Sequence, residues 1–304
     1  MEFIKPDTNI NFIGVRKYAY LISCTLIVIG IISLYARGLN YGIDFAGGTL
    51  VQVRFHDNVK TQDVRNALKP IGFSDARIQS YGNPSDHGFL IRIPVSEGTP
   101  QKLSKVLRSS LYKAFGKNKV DIRRVEMVGA GVSKDLKEKG FLSLFYAGIG
   151  ILIYVWWRFE LTFSLGAILA LIHDVLITIG IFSITYKEIN LPIVAALLTI
   201  IGYSLNDTIV VFDRIRENMK KQNARSRLFV DLVNQSINQT ISRTLLTSFT
   251  TFIVVLCLFI FGGGAIHNFS FAMMVGIIVG TYSSIYIASP VVLFLSSEGK
   301  RKKR

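Results

Sequence analysis

The chain has little cysteine and little negative charge. Its two cysteines, Cys24 and Cys257, both fall in apolar stretches, where cysteine behaves as a small apolar residue and says nothing about the redox compartment. Acidic residues number 20 against 35 lysines and arginines, so the formal net charge is +15, while 50% of the residues are hydrophobic. This combination is typical of neither a soluble domain nor a disordered chain. It indicates an integral membrane protein with basic flanks.

Residue sets that carry enzymatic chemistry are also lacking. No nucleophile–base set, metal-ligand cluster or nucleotide loop occurs at usable spacing, so we expect no enzyme, metal or cofactor. The glycine-rich stretch LNYGIDFAGGTL, residues 39–50, is followed by a predicted strand, whereas a phosphate cradle needs a helix N-terminus and a lysine. Gly42, Gly47 and Gly48 therefore favour a tight connection from a span into a domain.

Long apolar runs are present instead. Six stretches reach the roughly 20 residues that cross a bilayer core, and the first has no small-residue cleavage site after it, which predicts a retained anchor. The six stretches are Tyr18 to Tyr35, Phe141 to Trp157, Thr162 to Tyr186, Leu191 to Phe212, Thr244 to Phe261 and Phe269 to Leu295.

Basic residues cluster on one side of this six-span pattern. Lysine and arginine near span ends are retained in the cytoplasm, and the opposite short loops hold only Lys187. Both termini, a loop at about 213–242 and the tail 297–304 are therefore predicted to be cytoplasmic. Contact of the tail with anionic lipid or ribosomal RNA is an alternative to a topology role. The basic residues concerned are Lys5, Arg16, Lys17, Arg158, Arg214, Arg216, Lys220, Lys221, Arg225, Arg227 and residues 300–304.

The only long polar segment, residues 37–140, follows the first span and falls on the outer side. Its periodicities predict the β-α-β-β-α-β order of a ferredoxin-like domain, with a Gly82-Asn83-Pro84 turn region between the middle strands. The fold hosts many functions and so names none. The elements are expected at Thr49 to Phe55, Thr61 to Ile71, Ala76 to Tyr81, Phe89 to Val95, Gln101 to Phe115 and Val120 to Val128.

The predicted fold class is thus a polytopic α-helical membrane protein with six transmembrane helices and one extracytoplasmic α+β ferredoxin-like domain. The expected division is a cytoplasmic N-terminus at 1–17, a first helix at 18–36, the outer domain at 37–140 and a five-helix bundle at 141–296.

Ionisable side chains occur inside the predicted spans, where they are costly and mark a pathway, a relay or a buried pair. Asp207 follows Asn206 past the midpoint of the fourth span, and Arg243 opens the fifth. Their similar depth and opposite charge predict an interhelical pair, whose carboxylate could exchange a proton as its access to water changes. The alternatives are that Asp207 and Asn206 are hydrogen-bonding contacts between helices and that Arg243 is a topology residue.

Other polar positions are weaker candidates. Asp174 falls near the middle of the third span. We interpret the preceding His173 as a packing histidine rather than as part of a proton relay. Asp213 and Arg214 fall at the cytoplasmic end of the fourth span, where solvated charges are ordinary.

Two further patterns concern helix packing. Gly276, Gly280, Ser284 and Ala288 recur every four residues and predict a close helix approach, either within the chain or with a partner subunit. Residues 216–238 are basic with interspersed apolar residues, which predicts an amphipathic helix on the membrane surface.

Three motifs in this layout resemble the SecD/SecF protein-export family of the resistance-nodulation-division (RND) superfamily. They are GIDFAGGT after the first span, GYSLNDTIVVFDRIREN in the fourth and SINQTISRTLLTS entering the fifth. The resemblance covers nearly the whole chain. It implies an RND-like bundle and a bacterial inner-membrane subunit that uses a proton or sodium motive force to promote polypeptide export. Its implied ion-coupling residues are Asp207, Arg243, Asn206, Asp174 and Asp213, and its structural motif comprises Gly42, Asp44, Gly47 and Gly48.

The resemblance also implies partners. A separate SecD chain, the SecYEG channel, exported unfolded polypeptide and membrane lipid are expected, with YajC as an additional candidate and no nucleic acid. The outer domain would contact the emerging chain or move with SecD. One rival is a small-molecule exporter of the same superfamily, although those usually carry a second large outer domain. The other rival is a passive assembly subunit without ion coupling.

Overall fold

A computed structural model of the chain describes residues 9–74, 76–81, 87–94, 100–221 and 229–301. The chain divides into two compact units. The first consists of Met1–Asn40, Leu142–Glu188 and Pro192–Arg304, and the second of Tyr41–Phe141 with Ile189–Leu191. The predicted Gly82-Asn83-Pro84 turn, Lys5, Arg225, Arg227 and residues 302–304 of the basic tail lie outside the described residues.

Helices dominate the first unit and a small sheet the second. The helices of four or more residues and the strands are, in chain order, α1 (Arg16–Arg37), β1 (Asn40–Tyr41), α2 (Ile43–Ala46), β2 (Gly48–Phe55), α3 (Thr61–Leu68), β3 (Arg77–Tyr81), β4 (Gly88–Ile93), α4 (Pro100–Phe115), β5 (Val120–Val128), α5 (Ala130–Arg158), α6 (Leu161–Thr185), β6 (Glu188–Ile189), α7 (Leu191–Lys221), α8 (Phe229–Phe261), α9 (Gly263–Ser283), a π-helical segment (Ser284–Ala288) and α10 (Ser289–Arg301).

Six helices are long and apolar enough to cross a membrane, which confirms the predicted number of spans. They are α1, α5, α6, α7, α8 and the continuous run Ile266–Ser296, which joins α9 to α10 through the π-helical segment. Because α6 and that last run are the most buried of the six, they form the interior of the bundle.

Three helices extend well beyond their predicted apolar stretches. Helix α5 begins at Ala130 rather than Phe141, α7 ends at Lys221 rather than Phe212, and α8 begins at Phe229 rather than Thr244. Hydropathy marks only the part of a helix that suits the bilayer core. The repeating backbone hydrogen bonds of a helix do not end where hydropathy falls, so polar turns continue the same helices.

The predicted amphipathic surface helix at 216–238 is not a separate element among the described residues. Its first part ends α7 at Lys221, residues 222–228 lie outside the description, and Phe229 begins α8. Leu232 and Val233 are buried in the core of the bundle. The apolar residues of this segment therefore pack against protein rather than lipid.

Close approach of two backbones fixes α1 against α6. Gly30 of α1 and Gly180 of α6 face each other, and a Cβ added to either glycine would lie 3.0 Å from the Cα of the other. Small residues at such crossings let helices pack by van der Waals contact where no hydrophobic force drives association. The crossing places α1 beside the buried polar residues of α6.

The second unit has the predicted β-α-β-β-α-β order. Its four-stranded antiparallel sheet has the strand order β3-β4-β2-β5, which is the ferredoxin-like arrangement. Alternate residues of β2 and β4 face inward and meet in register, as Val51 does with Ile91 and Val53 with Phe89. Helices α3 and α4 cover this face of the sheet. Leu68 of α3 is fully buried against it, as are residues of α4. Alternation of apolar residues in the strands therefore builds the core of this unit.

Candidate functional site

The first polar centre of the bundle surrounds Asp207. Ser204, Asp207, Thr208 and Val211 lie on one buried face of α7 because they are three and four residues apart. Asp207 is only 1% exposed, and its Oδ2 accepts a hydrogen bond from Ser248 Oγ of α8 at 3.2 Å. Thr281 Oγ1 of α9 donates to Ser248 Oγ at 2.7 Å. Two hydroxyls therefore connect this carboxylate to α8 and α9.

Arg243 does not form the predicted direct pair in this conformation. Its side chain is exposed, and among the described residues no ion pair within 4.0 Å joins it to Asp207. Ser248 follows Arg243 by five residues on α8, which places the two side chains on different faces at about 100° per residue. Thr244 lies one turn before Ser248 on the same face, and its buried Oγ1 has no hydrogen-bond partner within the described chain.

Two other predicted residues lie apart from Asp207. Asn206 is exposed on the outer face of α7, because adjacent helix residues point in directions about 100° apart. Asp213 lies further along α7 and forms an ion pair with Arg158 Nη2 at 3.2 Å, with both side chains more than 40% exposed. The structure therefore brings neither side chain to the Asp207 carboxylate.

The second polar centre surrounds Asp174 of α6, which is fully buried. Its Oδ2 accepts hydrogen bonds from Ser204 Oγ of α7 at 2.5 Å and from Ser283 Oγ of α9 at 2.8 Å. Its Oδ1 lies 2.9 Å from Nδ1 of the neighbouring His173. Both carboxylate oxygens are therefore used, and the centre joins three helices.

His173 extends this centre to α1. Its Nε2 lies 3.0 Å from Ser23 Oγ, and Ser23 Oγ lies 3.0 Å from the hydroxyl of Tyr282 on α9. The Tyr282 hydroxyl donates to the Ala19 carbonyl oxygen at 2.6 Å, and the His173 and Tyr282 rings stack with centroids 6.0 Å apart. The predicted packing histidine is thus buried and hydrogen-bonded at both ring nitrogens.

The hydroxyl partners of these two carboxylates were not identified from the sequence. They are Ser204 and Ser283 at Asp174 and Ser248 at Asp207, and Thr281 bonds in turn to Ser248. Serine and threonine are common in membrane helices and often bond to a carbonyl of their own helix, as Thr208 does with Ser204 O. The helical spacing of Ser204 and Asp207 was the available signal, because it places both side chains on one face.

The small-residue stripe of the last span packs within the chain. A Cβ added to Gly280 would lie 2.9 Å from Ser204 Cβ, and a Cβ added to Gly276 would collide with Ile200 of the same helix α7. Ser284 continues the stripe in the π-helical segment and donates to Thr281 O at 2.9 Å. The absence of a side chain at Gly280 therefore gives Ser204 room to reach Asp174.

The glycine motif forms a tight connection in the second unit. Gly47 has a φ of 71° and Gly48 a φ of 121°, and a Cβ on Gly48 would collide with the Ile93 carbonyl oxygen. Gly42 N donates to Ile189 O at 2.8 Å, and Asp44 Oδ2 accepts from Leu191 N, at the start of α7, at 2.8 Å. Asp44 thus satisfies a free donor at a helix N-terminus, where a negative charge is favourable.

Two family models match parts of this chain. A family model described as "Protein export membrane protein SecD/SecF, C-terminal" matches residues 108–298, and one described as "SecD/SecF GG Motif" matches residues 32–59. The protein translocase subunit SecF of Calditerrivibrio nitroreducens is 49% identical over 302 residues, which are 99% of each chain. SecF of Vibrio alginolyticus is 44% identical over 97% of this chain and 92% of its own.

Solved structures give the same result. The crystal structure of SecDF from Thermus, a translocon-associated membrane protein, matches 97% of this chain at 37% identity with a TM-score of 0.84. A second SecDF structure, in a super-membrane-facing form, matches 98% at 36% identity with a TM-score of 0.69. This chain spans 40% of the length of each of those chains. The chain therefore belongs to the SecD/SecF family of protein export membrane proteins, as a multi-pass SecF subunit of the Sec export machinery that works with SecD.

Proposed function

We propose that this SecF chain, together with SecD, uses an ion-motive force to promote polypeptide translocation and that Asp207 is the coupling carboxylate. The observation that carries the proposal is the burial of Asp207 in a membrane-spanning helix with a hydroxyl, not a basic side chain, as its hydrogen-bond partner. An ionised carboxylate at such a place is expensive. Binding a proton or a sodium ion removes that cost.

The hydrogen bonds of Asp207 give this exchange a structural consequence. An ionised carboxylate only accepts hydrogen bonds, whereas a protonated one can also donate. A change of protonation at Asp207 therefore alters the bonds to Ser248 and, through it, to Thr281. Because these three residues belong to α7, α8 and α9, ion binding would shift the preferred packing of three helices.

Two residues of α8 complete the proposed site. The unsatisfied Thr244 Oγ1 is a polar position on the face that carries Ser248, and buried unsatisfied groups often bind water or an ion. Arg243 is adjacent, and we assign its long side chain the role of a counter-charge that approaches Asp207 in a different conformation. We assign Asn206 and Asp213 no direct contact with the ion, since they point away or pair elsewhere.

The proposal includes an orientation. Basic span ends favour cytoplasmic termini and an extracytoplasmic domain at 37–140, in the inner membrane of a bacterium. That domain would then meet the exported polypeptide or move with SecD as the chain leaves the SecYEG channel. YajC and anionic lipid are further candidate contacts of the assembly.

Replacing Asp207 with asparagine tests ion coupling. Asparagine keeps the shape and can accept from Ser248, but it cannot exchange a carboxyl proton. We expect Asp207→Asn to accumulate and bind SecD normally, yet to lose the stimulation of export by the ion gradient in membrane vesicles. Asp213→Asn is the matched control, because its exposed ion pair contributes about 0–1 kcal/mol, and it should export as the wild type does.

The alternatives give different results in the same assay. Export that stays fully gradient-dependent in Asp207→Asn would make Asp207 a helix contact and place the coupling site elsewhere. A passive assembly subunit would show no stimulation of export by the ion gradient even in the wild-type chain, although SecD still binds. Gradient-driven efflux of small molecules, with no effect on polypeptide export, would favour the exporter of the same superfamily.

A further inference from the structure

The segment that precedes α1 is bound into one end of the helical bundle, although it is not helical itself. We propose that residues 10–13 form a strap that closes this end of the bundle and that must move before ions can reach Asp207 from it. The ion concerned is the one assigned to Asp207, so the role of the strap rests on the proposed function. The proposed orientation places this end in the cytoplasm.

Two asparagines of α8 hold the strap by its main chain. Asn238 Oδ1 accepts from Ile10 N at 2.8 Å, and the side-chain nitrogens of Asn234 and Asn238 donate to Ile10 O at 3.0 Å and 2.8 Å. Asn234 Oδ1 also accepts from Ile13 N at 3.2 Å. The two asparagines are four residues apart and therefore lie on one face of α8. Together they form a clamp on the strap.

Two apolar side chains of the strap extend into the bundle. Phe12 is 7% exposed and Ile13 1%, and both belong to the apolar core of the bundle. The Phe12 ring packs edge-on against Tyr286 of the π-helical segment, with centroids 6.2 Å apart. Asn11 fixes the turn that follows, because its Oδ1 accepts from Gly14 N at 2.8 Å. The strap is thus clamped through its main chain and buried through its side chains.

Polar contacts join α7 and α8 at two levels of the bundle. At the first level, Asp207 accepts from Ser248. At the second, Asn218 Nδ2 donates to Ser236 Oγ and to Gln239 Oε1, each at 2.9 Å. Asn218 follows Asp207 by 11 residues, which corresponds to about 16 Å along a helix. The clamp on the strap lies near the second level, because Asn234 and Asn238 flank Ser236 in α8.

The section between the two levels is apolar and closely packed. Thr240 lies within it, but its hydroxyl donates to Ser236 O and Ile237 O of its own helix. A packed apolar layer excludes water and ions, so Asp207 is closed off from this end. The side chains that fill the section are at most 4% exposed and share one core with Phe12 and Ile13; they are Val211, Phe212 and Ile215 of α7 and Ile237 and Ile241 of α8.

The strap is the part of this closure that can move while the helices stay in place. Helices α7 and α8 keep their register through polar contacts at both levels. Of the four bonds that form the clamp, the three to Ile10 lie at the surface, where water can replace them. A transport site is reached from its two sides in turn, which requires a closure that opens. Release of the strap removes Phe12 and Ile13 from the core and lets water enter.

A cysteine reporter measures this access in the full-length chain, purified with SecD in lipid nanodiscs and with both native cysteines replaced by alanine. Ile241→Cys places a thiol in the apolar section. A water-soluble thiosulfonate modifies it only where water reaches it, because the thiolate is the reacting form. We expect no modification while the strap is bound and complete modification in the same time once Asn234→Ala and Asn238→Ala are added. Continued protection of Ile241→Cys in that variant would overturn the proposal.

Val255→Cys is the matched reporter. Val255 is 7% exposed and follows Ser248 by seven residues on the same face of α8, on the side away from the strap. Its thiol should stay protected with and without the two asparagines. Modification that rises at both reporters would come from general loosening of the bundle and would contradict a closure by the strap.

A cross-link tests whether the strap must move, and it does so without weakening the clamp. Ile10→Cys and Asn238→Cys change two residues that are in contact, so a cleavable bifunctional thiol reagent can join the two positions. We expect the joined chain to bind SecD, to lose the stimulation of export by the ion gradient and to regain it when the link is cleaved. Full stimulation with the link intact would overturn the proposal.

These measurements separate the strap from the proposed role of Asp207. Labelling of the reporters does not measure export, so it decides whether the strap closes the bundle even if Asp207→Asn keeps gradient-dependent export. Conversely, a loss of gradient dependence in Asp207→Asn, combined with a reporter that stays protected after the clamp is removed, would support Asp207 and exclude the strap.

Discussion

At the scale of single residues, burial separates the functional candidates from the others. Asp207 and Asp174 are at most 1% exposed, whereas Asn206 and Arg243 are exposed and Asp213 is paired near the end of its helix. The sequence predicted the carboxylates because a charge inside an apolar run is conspicuous. Their hydroxyl partners could not be predicted in the same way, because which hydroxyl meets a carboxylate depends on the rotation of each helix.

Replacing Ser248 removes the hydroxyl that donates a hydrogen bond to the Asp207 carboxylate. Loss of a hydrogen-bond donor to a buried polar group commonly costs about 1–3 kcal/mol. We therefore expect Ser248→Ala to lower the melting temperature of the chain in detergent. It should also weaken gradient-driven export, though by less than Asp207→Asn, because the carboxyl group itself remains.

Thr250→Ala is the control for this change, since Thr250 is exposed and, within the described part of the chain, its hydroxyl bonds only to carbonyls of its own helix. It should leave the melting temperature and export close to those of the wild type. Equal melting temperatures for Ser248→Ala and Thr250→Ala would mean that Ser248 does not stabilise Asp207.

At the scale of elements, close packing of α9 against α7 shapes both polar centres. Apolar run length predicted how many helices there are, and four-residue spacing predicted the small-residue stripe, but neither indicated what the stripe contacts. Gly276 and Gly280 pack on Ile200 and Ser204 of this same chain. A contact between helices distant in the sequence depends on tertiary packing, and a single sequence carries no signal for it.

Alanine substitution at two glycines tests this packing. Alanine stabilises a helix by about 1 kcal/mol relative to glycine. A loss of stability in either variant would therefore come from steric conflict and not from helix propensity. In Gly280→Ala the new Cβ would lie 2.9 Å from Ser204 Cβ, and we expect a lower melting temperature. Gly202→Ala on α7 is the matched control, because its Cβ would meet nothing within 4 Å, and it should be neutral or stabilising. If both variants melted alike, Gly280 would not be a tight contact.

At the scale of the whole molecule, a helical bundle and a ferredoxin-like unit share one chain. Strand alternation and helical periodicity were sufficient to predict the order of elements in the small unit, because its core is built from local patterns. Lengths of the long helices were underestimated, since their polar turns carry no apolar signal. The return of Ile189–Leu191 to the second unit, where Asp44 accepts from Leu191 N, had no signal in the sequence.

Orientation in the membrane can be tested by cysteine labelling of intact cells. In a chain with both native cysteines replaced by alanine, Ser109→Cys adds an exposed thiol on α4, and Lys220→Cys adds one at the end of α7. The positive-inside distribution predicts that a membrane-impermeant reagent labels position 109 from outside and position 220 only after the inner membrane is permeabilised. The opposite labelling pattern would reverse the proposed orientation.

The π-helical segment Ser284–Ala288 lies directly after Tyr282 and Ser283, the two α9 residues of the His173–Asp174 centre. A π-helical turn holds one more residue than an α-helical turn, so it sets the rotational phase between α9 and α10. Return of this segment to α geometry would rotate one side relative to the other by about 100°, the angle per helical residue. If α10 kept its place, Ser283 would swing away from Asp174 and Tyr282 away from Ser23 in a single motion.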